Sequence, residues 1–65
     1  MTFDINDVVK LKADLPNERL SKGMIGVVVA VFTSPELAYE VEFCNEQGET
    51  LTEIALKPEL IEPSN

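Results

Sequence analysis

The chain has 65 residues, 45% of them hydrophobic, with twelve carboxylates against five basic side chains and a formal net charge of −7. A chain this short forms one domain with a thin core, because only roughly 60% of its unfolded surface can be buried on folding, and it leaves no room for a catalytic domain with a lid. The apolar content excludes a disordered acidic tail, while the absence of histidine and the lone Cys44 exclude a zinc framework and an internal disulfide.

The unpaired thiol fits a reducing, cytoplasmic setting. Residues 1–7 lack the basic start and apolar run of a signal peptide, and no apolar run approaches the ~20 residues that span a bilayer, so the chain reads as soluble. Residues 7–12 alternate as a first strand, with Val8, Val9 and Leu11 supplying apolar surface and Lys10 and Lys12 sharing the other side. Leu15-Pro16-Asn17 then opens a loop that ends at Gly23: Pro16 biases Leu15 toward extended geometry and Asn17 favours a turn. Leu15, Leu20 and Met24 predict that part of this loop folds back over an open end of a small barrel.

Gly23 and Gly26 run straight into an unbroken apolar segment. It predicts a second strand over Ile25–Phe32, buried on both faces and bent or bulged at Gly26. Thr33-Ser34-Pro35-Glu36 ends that strand. The third strand has a strict period of two: Leu37, Tyr39, Val41 and Phe43 face the core, and Ala38, Glu40, Glu42 and Cys44 face water. Asn45-Glu46-Gln47-Gly48 reads as a hairpin turn with Gly48 in the left-handed position. Residues 49–56 return antiparallel, pairing Cys44 with Glu49, Phe43 with Thr50, Val41 with Thr52 and Tyr39 with Ile54, which makes Glu40 and Glu53 cross-strand neighbours. Lys57-Pro58-Glu59-Leu60 predicts one 3₁₀ turn, after which Leu60 and Ile61 close the barrel and residues 62–65 fray.

Four blocks carry a family resemblance: Asp7-Val8-Val9-Lys10-Leu11, Asp14-Leu15-Pro16, Lys22-Gly23-Met24-Ile25-Gly26-Val27-Val28, and Tyr39-Glu40-Val41-Glu42-Phe43 followed by Gly48 and Thr50. Through them the chain resembles a bacterial family of small proteins known as domain of unknown function 4926. That resemblance implies a compact SH3-like β-barrel without a catalytic motif. The glycine pair also resembles the KOW motif of ribosomal and transcription-elongation proteins, whose loop and strand touch RNA or a protein partner. The expected class is therefore all-β: a small SH3-like barrel of about five strands, with a short 3₁₀ turn before the last, spanning residues 1–65.

The residues argue against an enzyme. Without histidine the usual neutral-pH base is missing, and Cys44, between Glu42 and Asn45, has no basic neighbour in sequence to activate it. Glu40, Glu42, Glu49 and Glu53 could approach a hard cation, but a flat strand surface does not wrap six oxygens around an ion and no EF-hand spacing occurs. No metal or other cofactor is expected.

Charge is distributed unevenly. Asp4, Asp7, Asp14 and Glu18 balance Lys10, Lys12, Arg19 and Lys22, whereas from Gly23 onward Lys57 is the only base among the carboxylates. Nucleic-acid binding is disfavoured by so few basic residues, although Lys10, Lys12, Arg19 and Lys22 could converge as a small KOW-like patch on RNA or a ribonucleoprotein. No aromatic flanks them, since Phe32, Tyr39 and Phe43 are all assigned to the core. The leading expectation is a protein-binding module whose acidic sheet face, Glu40, Glu42, Glu49 and Glu53 around Leu51, engages a basic partner in the manner of an immunity protein or antitoxin. An edge strand left by an imperfect barrel allows a monomer or a weak dimer.

Overall fold

A computed structural model describes residues 2–64. They form β1 (Val8–Leu11), β2 (Ile25–Phe32), β3 (Ala38–Cys44), β4 (Thr50–Leu56) and β5 (Ile61–Pro63), with single 3₁₀ turns at Pro16–Glu18 and Pro58–Leu60. All pairings are antiparallel, in one sheet of order β4-β3-β2-β1-β5. The all-β class, the five strands and the 3₁₀ turn before the last strand agree with the sequence. The sheet, however, is not closed into a barrel: the three-residue β5 pairs with β1, and β4 is left as the opposite edge.

β3 follows its alternation, with Tyr39, Val41 and Phe43 buried and the intervening residues toward solvent. Together with Phe3, Val9, Leu11, Leu20, Val28, Leu56 and Ile61 they form the core against one face of the sheet. Phe3 joins it because its ring meets Tyr39 edge-on, with centroids 5.3 Å apart, and its N–H donates to the Tyr39 hydroxyl at 3.1 Å. The Pro16 loop covers the core as its sequence implies: Leu20 is buried, Leu15 and Met24 pack against the cluster, and Leu15 and Leu20 bridge across the 3₁₀ turn.

Four expectations are corrected. Burial of β2 is confined to one face: Gly26 and Val28 turn inward, whereas Ile25, Val29 and Phe32 are exposed, Phe32 at 44%; Val31, paired with Tyr39 on the inward side, is 37% exposed near the end of the strand. The physical reason is that a single open sheet covers its core on one side only, and among the described residues no second layer lies on the other. The bulge of β2 lies between Val28 and Ala30, not at Gly26. Gly26 instead permits close approach to β3, since a Cβ there would lie 2.6 Å from Val41 Cγ1 and 2.9 Å from the Glu42 carbonyl oxygen.

The β3–β4 register is shifted by two residues, pairing Phe43 with Thr52, Val41 with Ile54 and Tyr39 with Leu56. One residue of the shift arises because Glu49 belongs to the turn, where its carbonyl accepts from the Asn45 N–H at 2.9 Å. The other comes from a bulge that leaves Leu51 without a partner between Cys44–Thr50 and Phe43–Thr52. Beyond the bulge the shift of two keeps Thr52 and Ile54 on the core face and Glu53 on the outer face, whereas Thr50, shifted by one, turns to the outer face opposite Cys44. Gly48 takes the left-handed turn position, with φ 83°.

The C-terminal segment is not frayed. Glu62 and Pro63 pair with Lys10 and Val9, and the Ser64 N–H donates to the Val8 carbonyl at 3.1 Å; Asn65 lies outside the described residues. Pro63 is tolerated because β5 is an edge strand, where one N–H can be spared. Among the described residues no helix is long and apolar enough to cross a membrane.

Candidate functional site

The uncovered face of the sheet is built by the same registers that build the core. Val8, Val27, Glu42 and Glu53 form one continuous row across β1, β2, β3 and β4. Beside it Ala30, Glu40 and Ala55 form a second row, Phe32 pairs with Ala38 beyond, and Ile25 pairs with Lys10 at the other end. Side chains that share a row share a face. The outer face therefore divides along the β2–β3 boundary: the half on β1 and β2 is apolar apart from Lys10, and the half on β3 and β4 carries the carboxylates.

The acidic half contains Glu40, Glu42 and Glu53. Glu42 and Glu53 stand directly opposite each other, so Glu40 is a diagonal neighbour of Glu53 and faces Ala55. Partial burial pushes the Glu40 carboxyl above its usual range, and a hydrogen bond to Glu53 and the charge of Glu53 add to the rise. Glu42 Oε2 accepts from the Thr50 hydroxyl at 3.0 Å. Among the described residues the ion pairs are Lys10 with Glu62 and Lys57 with Glu36, each at 3.7 Å, and neither neutralises these three carboxylates.

The other two members of the sequence-derived surface lie at the hairpin end. Glu49 sits in the turn, accepting from the Asn45 side-chain amide at 2.9 Å, while Leu51 is the exposed residue of the bulge and does not sit at the centre of the carboxylates. Cys44 is exposed at the end of β3, opposite Thr50. Among the described residues no group of three or more Cys, Asp and Glu side chains is placed to hold a metal ion.

The alternative basic residues are spread over three elements. Lys10, on the outer face, is paired with Glu62, and Lys12, one residue past β1, lines a cleft of about 500 Å³ with Glu59 and Glu62. Arg19 closes the first 3₁₀ turn in a left-handed conformation, and Lys22 lies further along the loop, its N–H donating to Asp14 Oδ1 at 2.8 Å. A second cleft of about 420 Å³ lies between that turn and the end of β4, with Leu15, Ile54, Leu56 and Leu60 in its lining.

Sequence reasoning missed the apolar half, which includes Val8 and Ile25, each 47% exposed, and Phe32. Its signal was present as the two-sided apolarity of Ile25–Phe32, but that pattern is the same whether the second face meets protein or water. The fold and this surface define a small, single-sheet, all-β protein with one open face of two chemistries. By its sequence the chain belongs to the family described as domain of unknown function DUF4926, whose model matches residues 5–63. No curated protein and no solved structure matches it significantly.

Proposed function

We propose that this protein is a non-enzymatic binding module that engages a basic protein partner through the acidic half of its outer face. The observation that carries the reading is the opposed pair Glu42 and Glu53, with Glu40 beside them and, among the described residues, no basic side chain in ion-pair contact with the three. Like charges placed opposite each other on neighbouring strands cost some tenths of a kcal/mol, a penalty that a partner's lysines and arginines would turn into attraction. Neutralising a basic toxin-like protein would be one such role. A cytoplasmic setting belongs to this reading, on the strength of a free, exposed Cys44.

The test is capture from native extract with the tagged protein and with a Glu42→Lys/Glu53→Lys variant, each with and without nuclease, eluted in salt steps. A basic protein retained by the wild type after nuclease, released by salt and not retained by the variant is the expected result. Retention that vanishes with nuclease, or that the variant preserves, overturns the proposal in favour of an RNA contact through Lys10, Lys12, Arg19 and Lys22.

A further inference from the structure

The proposed acidic contact leaves the other half of the same face unexplained. Val8, Ile25 and Phe32 are exposed large apolar side chains on the outer rows of β1 and β2, with Val27 between them and Val29 exposed at the bulge. Solvated antiparallel sheets ordinarily alternate, with polar residues on the water side, as β3 does. β2 departs from that rule over its whole length. A contiguous apolar strip rimmed by charge is the composition of an interaction surface.

Resting on the reading that the acidic half engages a protein, we infer that the occupant of this face is a basic amphipathic α-helix of that partner, lying along β2. Its apolar side covers Val8, Ile25, Val27 and Phe32, and its basic flank covers Glu40, Glu42 and Glu53. Dimensions favour a helix. Neighbouring strands are ~4.8 Å apart, so a helix ~10 Å across that is seated on β1 and β2 brings one flank over β3, from which lysine or arginine stems reach β4. The eight residues of β2 extend ~26 Å at ~3.3 Å each, the length of a helix of about 17 residues.

Charge excludes the nearest competitor, a second copy of this chain. Two molecules of net charge −7 packed by this face would bring Glu40, Glu42 and Glu53 of both toward one another. An extended peptide added to the free β4 edge would leave the apolar strip bare. A lysine- or arginine-bearing helix satisfies both halves at once.

The experiment uses the full chain and two synthetic 18-residue peptides of identical leucine and lysine content. In one, leucine recurs at i, i+3, i+4 and i+7; in the other, the order is scrambled. Titrations would be read by calorimetry and by amide chemical shifts. The patterned peptide should bind at least about tenfold more tightly than the scrambled one and shift amides of both β2 and β3. Ile25→Ser/Phe32→Ser should remove that advantage while leaving the fold intact, since both residues lie outside the core and are nearly half exposed. Glu42→Lys/Glu53→Lys should weaken both peptides and flatten their salt dependence.

Equal binding of the two peptides, abolished by the lysine variant, would overturn the helix and leave the acidic contact standing. Shifts confined to the β4 edge would also overturn the helix. Absence of binding by either peptide, or indifference to the lysine variant, would overturn both.

Discussion

β2 and β3 are neighbours in one sheet, with similar lengths and a shared core, but they treat their outer faces in opposite ways. β3 places Glu40 and Glu42 against water, whereas β2 places Ile25, Val27 and Phe32 there. Burial accounts for Tyr39, Val41 and Phe43 and for Val28. It does not account for the outer residues of β2, which contribute apolar surface without a covering layer. The comparison separates apolar residues that hold the fold from apolar residues that are free to serve contact.

The largest expected effect tests that separation directly. Phe43→Ala, in the core, should cost about 3–5 kcal/mol, enough to unfold much of a chain this small, whereas Phe32→Ala should change stability by no more than about 0.5 kcal/mol. Urea denaturation followed by circular dichroism reads both. A large loss for Phe32→Ala would return the outer face of β2 to the core and remove the contrast.

Gly26→Ala comes next, because the added methyl would press on the Val41 side chain and on the backbone oxygen of Glu42. A destabilisation of about 1–3 kcal/mol is expected in the same assay. A neutral result would mean that the two strands separate easily, and that their outer rows are less fixed than the register implies. Tyr39→Phe removes the hydroxyl that accepts the Phe3 N–H and should cost about 1 kcal/mol, with faster amide exchange at Phe3.

The smallest effect lies on the acidic half. The Glu40 carboxyl is raised in the folded protein, so the folded state binds a proton there more readily than the unfolded chain. Its contribution to stability is therefore present at low pH and lost as pH rises through the raised value. Glu40→Gln should be more stable than the wild type at pH 7, and the difference should shrink as the pH is lowered and Glu40 is protonated. Paired denaturation curves across that range check the sign, and a gap that widens on acidification would show that Glu53 does not burden Glu40.

Much of the architecture was legible in local chemistry. The alternation of residues 37–44, the Asn45 to Gly48 turn, the position of Ile25–Phe32 and the Pro58 turn each follow from side-chain periodicity or backbone preference. The acidic half of the site was legible in part for the same reason, because alternation assigns Glu40 and Glu42 to one side of β3, while Glu53 joins them through the pairing of β4. The bulge at Leu51 and the inclusion of Glu49 in the turn were not, since a register is decided by how two strands meet. Nor could Phe3 be placed in the core without its partner Tyr39, 36 residues away.

The sequence by itself determined the β class, the inward face of β3 and the uneven distribution of charge, all of which depend on residues near one another in the chain. Only the tertiary structure decided that the sheet stays open and that the outer face of β2 lies bare beside the carboxylates. Those outcomes depend on which distant strands pair and on whether any layer is left to cover the second face. An apolar run carries no mark that distinguishes a covered surface from an exposed one.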